Sequence, residues 1–112
     1  MKKSTLLKYL EFAAHCDLKA KDYKVLLYLL SDLLTMEKIM INQNTTAEEL
    51  GLTKSDVSKA LRRLEKNKIL YFDWLSERKK SIGLVEHDDD ELDELIAEKI
   101  EEKVSLLDEW EY

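Results

Sequence analysis

Apolar residues recur at helical spacing through most of this 112-residue chain. Leu6, Leu7, Leu10, Ala13 and Ala14 fall on one side of a first helix, which Ser4 or Thr5 can cap and which runs to about His15. Asp17-Leu18-Lys19 interrupts it. A second helix runs from about Ala20 to Met36. Its leucines, Leu26, Leu27, Leu29, Leu30, Leu33 and Leu34, cover so much of the circumference that it should be central. Ile39-Met40-Ile41 is too short for a helix and predicts a brief strand, with Asn42-Gln43-Asn44 as a loop after it. Thr46 with Glu49 has the spacing of a capping box and predicts a short helix to about Leu50, stopped by Gly51. Thr53 with Asp56 repeats the pattern, and the next helix runs to about Asn67. Ile69 to Leu75 is dense in β-forming residues. Ser76 to Lys80 is a polar break, and Ser81 to Val85 can return as a partner strand. Asp88-Asp89-Asp90 then opens a last helix to about Trp110, at the end where the helix dipole favours carboxylates.

Composition agrees with a mostly helical chain: charged residues reach 38%, with two Gly and no Pro. An apolar share of 45% is enough for a real core, and the length fits one domain with an appended element. One cysteine, Cys16, excludes an internal disulfide framework and fits a reducing compartment. The basic start Met1-Lys2-Lys3 leads into a charged helix, so no signal peptide is expected. No apolar run approaches the roughly 20 residues that span a bilayer. A cytoplasmic location and no membrane partner are the expectation.

Net charge changes the picture more. The chain carries -6 overall, unevenly spread. Residues 1–53 balance. Residues 54–85 hold nine Lys/Arg against four Asp/Glu, and residues 86–112 hold thirteen Asp/Glu against two Lys. A basic and an acidic region therefore share one small chain. With a Debye length of about 8 Å at physiological salt, a basic surface tens of Å from an acidic one can still attract phosphate.

The basic region is organised. On a helical wheel, Val57, Ala60, Leu61 and Leu64 make one apolar stripe on the helix of about 53–67. Ser55, Lys59, Arg62 and Lys66 stand on the opposite side, with Arg63 beside them and no carboxylate at the centre. Glu48, Glu49 and Asp56 read as groups at helix starts rather than as repulsive elements. A solvated helix face would look the same, but the elements around it carry more.

The run AEELGLTKSDVSKALRRLEKNKIL with the following YFDWLSERKKSIGLV, within Thr45–Val85, resembles a winged helix-turn-helix DNA-binding domain. The resemblance implies a fold that is mainly α with a small β-hairpin wing, flanked by N-terminal and C-terminal helices. Residues 1–86 would be the winged domain, with a recognition helix at about 53–67 and a wing at about 69–85. It implies double-stranded DNA as partner. Lys54, Ser55, Ser58 and Lys59 are placed to read base edges from the N-terminal part of the recognition helix. Arg62 can reach a guanine or a phosphate, and Arg63 and Lys66 lie further along, towards the backbone. Arg78, Lys79 and Lys80 sit at the hairpin tip, which in winged domains often reaches the flanking backbone or minor groove. Tyr71, Phe72 and Trp74 are expected to pack the hairpin.

In residues 87–112, Leu92, Ile96, Ile100, Val104, Leu107 and Trp110 repeat at three and four residues, with Leu95 beside them. That acidic amphipathic helix can fold onto its own domain or pair with the same helix of a second chain. Dimerising terminal helices are a feature of winged-helix regulators resembling the MarR and PadR families. A homodimer is expected, with two recognition helices on a two-fold-symmetric operator. The PadR likeness is one of architecture alone. The acidic helix would sit away from DNA, or alternatively cover the basic face as a brake.

The resulting expectation is a dimeric transcriptional regulator. Two other readings stay open. NTTAEELGLTKSDVSKALRRLEKNKIL, preceded by VLLYLLSDL, also looks like the winged helix of Gram-positive plasmid and phage replication initiators, which bind origin repeats. The third is a protein-interaction module without DNA. No catalytic residue, cofactor or metal site is expected: His15 and His87 lack partners at metal spacing, and Gly51 and Gly83 form no phosphate loop. Cys16 beside His15 reads as a small buried residue, with a redox site as the alternative. Asp88–Asp90 reads as a helix cap, with a hard cation as the alternative. Nothing in the sequence speaks for or against a small-molecule effector.

Overall fold

Helix α1 (Lys3–His15) and α2 (Ala20–Leu33) lead into a two-residue strand, β1 (Ile39–Met40). Then come α3 (Gln43–Leu50), α4 (Lys54–Lys66), the hairpin strands β2 (Leu70–Trp74) and β3 (Lys80–Leu84), and α5 (Asp89–Trp110). The computed structural model describes residues 3–74 and 80–110, with backbone alone at 74, 80 and 106–110. Element order follows the sequence expectation throughout: mainly helical, with a small antiparallel sheet. The chain divides into two compact units, Leu18–Val85 and Met1–Asp17 with Glu86–Tyr112.

In the unit Leu18–Val85, α4 packs against α2, α3 and β2. Val57, Ala60, Leu61 and Leu64 are fully or almost fully buried, as their stripe predicts. From α2 come Val25, Leu26, Leu29, Leu30 and Leu33. Leu27 is 61% exposed, and the helix stops at Leu33 rather than Met36. The sheet runs in the order β1-β3-β2. Ile39, Ile82 and Phe72 lie opposite one another on its inner face; Met40, Ser81 and Asp73 share the outer one. Lys38 Nζ reaches Asp73 Oδ2 at 2.6 Å and ties the two edge strands together. Tyr71 lies flat across β3 on the outer face: a Cβ on Gly83 would stand 2.6 Å from its ring.

The other unit pairs α1 with α5. Its buried residues on α1 and just after it are Tyr9, Phe12, Ala13 and Cys16, spaced i, i+3, i+4, i+7. The leucine stripe expected on α1 is therefore rotated: Leu7 is 58% exposed and Ala14 is exposed. The aromatic rings, which cover more area than leucine, take the inner face. Thr5 is no cap; its hydroxyl donates to Asp89 Oδ1 at 2.7 Å, and Lys8 pairs with Asp93 at 2.8 Å. Leu92 and Ile96 are buried, whereas Ile100 is 43% and Val104 50% exposed. The single stripe read along α5 is thus covered in its first half and open beyond it; the side chains of Leu107 and Trp110 lie outside the described residues.

Candidate nucleic-acid interface

The local sequence builds α3, a three-residue turn and α4. Asn42 caps α3, its Oδ1 accepting the N–H groups of Asn44 and Thr45 at 3.0 and 3.2 Å. This corrects the expected start at Thr46: Asn42 satisfies the first free N–H groups one turn earlier, so Asn42-Gln43-Asn44 is not a loop. Thr46 is buried inside the helix, and Glu49 accepts a hydrogen bond from the Tyr28 hydroxyl instead of completing a capping box. That bond raises the Tyr28 phenol above its usual pKa. Gly51 ends α3 at φ 67°, with Leu52 N–H reaching back to Ala47 O at 2.9 Å.

Helix α4 starts as expected. Thr53 Oγ1 accepts Asp56 N–H at 3.0 Å, and Asp56 Oδ2 accepts Thr53 N–H at 3.2 Å. Those Thr53 bonds, with Lys21 Nζ at 3.2 Å, hold the Asp56 carboxyl below its usual pKa. Its charge is thereby fixed and locally neutralised. At its far end α4 makes the same turn as α3 does at Gly51, but with Lys68 at φ 60°. Ile69 N–H reaches Leu64 O and Lys68 N–H reaches Glu65 O, both at 3.0 Å.

The outward side chains of α4 fall into two clefts. One, of about 420 Å³, is lined by Gln43, Lys54, Ser55, Ser58, Lys59 and Arg62. It brings together five of the residues picked from the sequence, and adds Gln43. No sequence signal marked Gln43, because its place follows from the capped start of α3. Lys54, Ser55, Lys59, Arg62 and Lys66 are exposed, and Ser58 is half-buried. The second cleft, of about 330 Å³, is lined by Lys19, Ala20, Lys21, Asp56, Lys59 and Arg63.

Arg63 has a partner within the chain. Its Nη1 donates to Asp22 Oδ1 at 2.8 Å, and the Asp22 side chain is fully buried. The other Asp22 oxygen accepts Lys19 N–H at 2.9 Å, at the start of α2. One carboxylate thus begins α2 and holds α4 against it. Of the expected wing-tip residues, Arg78 and Lys79 lie outside the described residues, and Lys80 is placed by its backbone alone, opposite Trp74.

No protein-family model matches this chain, and no curated protein does. Solved structures do match. A possible transcriptional regulator from Methanosarcina mazei Go1 superposes with a TM-score of 0.55 at 15% identity, over 91% of this chain and 87% of that one. A mutant of S. aureus MepR bound to an oligodeoxyribonucleotide gives a TM-score of 0.51 at 26% identity, over 92% of this chain and 72% of that one. The chain has the winged helix-turn-helix fold. A second MepR mutant, from a multidrug-resistant S. aureus clinical isolate, gives 0.51 at 22% identity, over 100% and 85%. MepR is a transcription regulator. Within this winged fold, α4 takes the place of the recognition helix, and β2 with β3 forms the wing. Among the described residues no His, Cys, Asp or Glu cluster could hold a metal ion, and no helix is long and apolar enough to cross a membrane.

Proposed function

We propose that this chain binds double-stranded DNA as a sequence-specific, dimeric transcriptional regulator and has no enzymatic activity. The observation that carries this reading is the cationic outer face of α4, with its cleft of Gln43, Lys54, Ser55, Ser58, Lys59 and Arg62, on a fold shared with a DNA-bound MepR. An α-helix fits the major groove, which is about 12 Å wide. Lys54, Ser55, Ser58 and Lys59, with Gln43, meet base edges; Arg62 takes a guanine or a phosphate; Lys66 meets the backbone. Arg63 acts through Asp22 by fixing α4. Arg78, Lys79 and Lys80 extend the contact from the wing to flanking DNA. That the solved neighbours are regulators supports this role over replication initiation and over catalysis.

Residues 87–112 are the dimerisation element in this reading. The exposed pair Ile100 and Val104 supports pairing with a second copy, and Leu107 and Trp110 continue the stripe in sequence. Leu92 and Ile96, already buried, hold α5 in its own chain. The location is cytoplasmic, in keeping with a single reduced cysteine.

The test is selection of genomic DNA fragments by purified protein, followed by sequencing, beside an Arg62→Ala variant. A few enriched sites with two-fold symmetry, half-sites about 34–36 Å apart and loss of enrichment in the variant are the expected result. Sites at promoters mark a regulator; sites repeated at an origin mark an initiator. No enrichment by the wild type even at low salt would overturn DNA binding and leave a protein-interaction module.

A further inference from the structure

The second cleft is not accounted for by base reading. It lies on the flank of α4 that faces the start of α2, and Lys59 lines both clefts, so the two adjoin along α4. Cations dominate its wall. Lys19, Lys21 and Lys59 are exposed, and Arg63 is half-buried. Both carboxylates nearby are already engaged: Asp56 by Thr53 N–H and Lys21, Asp22 by Lys19 N–H and Arg63.

A helix with its side chains is about 10–12 Å across and fills a major groove of similar width. Each flank of such a helix then faces one sugar-phosphate wall. On one flank of α4 stand Gln43 and the start of α3. On the other stand Lys19 and Lys21. Lys19 also occupies the cap position of α2, where a side chain that accepts hydrogen bonds is the usual choice and a cation faces the positive end of the helix dipole. An anion seated in the cleft reverses that penalty.

We propose that Lys19 and Lys21 form a second backbone anchor, outside the helix-turn-helix, that grips the phosphates of the DNA strand running along the α2 flank of α4. The inference rests on the DNA-binding reading above. It adds a contact made by α2 that selects no base and sets how deep and at what tilt α4 enters the groove.

The test is the salt dependence of affinity for a selected duplex and for a scrambled one, measured by fluorescence anisotropy. Lys19→Gln is the main variant; Lys19→Arg keeps the charge, and Lys99→Gln removes one from α5. Lys19 makes no ion pair among the described residues, so its loss leaves no orphaned carboxylate, whereas loss of Lys21 would free Asp56. For Lys19→Gln, the slope of log affinity against log salt should become shallower by about 0.9, the value for one phosphate contact. Affinity should fall equally on both duplexes, and Lys19→Arg should restore both slope and affinity. An unchanged slope in Lys19→Gln, or an equal effect from Lys99→Gln, would overturn the anchor and leave the DNA reading standing. Failure of the wild type to bind either duplex would overturn both.

Discussion

Replacing Arg63 by Ala should destabilise this protein far more than losing a surface ion pair does, and more than replacing its partner. The two sides of the pair are unequal. Asp22 is fully buried, while the Arg63 side chain is 32% exposed. Arg63→Ala leaves an ionised carboxylate in the interior with only Lys19 N–H as donor, and removing one partner of a buried pair in this way costs about 3–5 kcal/mol. Asp22→Asn removes the charge but keeps an oxygen for Lys19 N–H and leaves a guanidinium that can turn to water; its cost is about 1–2 kcal/mol. Against a total stability on the order of 5–15 kcal/mol, the first loss is large and the second moderate. Equilibrium urea unfolding, followed by circular dichroism, measures both. The decisive variant is Asp22→Asn in the Arg63→Ala background, which should recover part of the loss because it discharges the orphaned carboxylate. If Arg63→Ala costs under about 1 kcal/mol, the range of exposed pairs, or if the two losses simply add, the pair is not the clamp described here.

Two further outcomes follow from the backbone and from burial. Lys68→Gly should stabilise the fold by about 1 kcal/mol, since Lys68 sits at φ 60° where glycine carries no steric penalty; a higher denaturation midpoint checks it, and a lower one would mean that the lysine side chain contributes more than its backbone costs. Burial pushes the Cys16 thiol above its usual pKa, so near pH 8 less of it is thiolate than in an exposed cysteine. A thiol-reactive dye should therefore label native protein no faster than the protein unfolds, and labelling should accelerate in denaturant; rapid native labelling would revive a redox role.

The parts of the fold that were legible in the sequence are those in which local chemistry and periodicity agree. Helix α4 has both a capping box at Thr53 and Asp56 and one clean apolar stripe, so its limits and orientation were readable, as was the turn at Gly51. Where two local solutions competed, the reading slipped. Asn42 and Thr46 are both good caps four residues apart, and only the packing of Thr46 into the interior decides between them. On α1 the leucines are more numerous, yet Tyr9 and Phe12 offer more area to bury. The partner of Arg63 was out of reach because Asp22 lies 41 positions away on another helix. For the same reason Lys19 and Lys21 looked like an ordinary break between helices, and Gln43 like part of a loop. The stripe on α5 was visible, but not which half of it the chain covers for itself.

The ring of Tyr71 lying over Gly83 carries a consequence for how this sequence can drift. Position 83 is empty of side chain because position 71 fills the space from the neighbouring strand. Neither residue is free to change by itself: any side chain at 83 displaces the ring, and a small residue at 71 leaves the outer face of β3 bare. Substitutions at these two positions, twelve apart in the chain, should therefore be inherited as a pair, and divergent chains that share this wing should show either an aromatic with a glycine or two mid-sized residues, but rarely one change without the other.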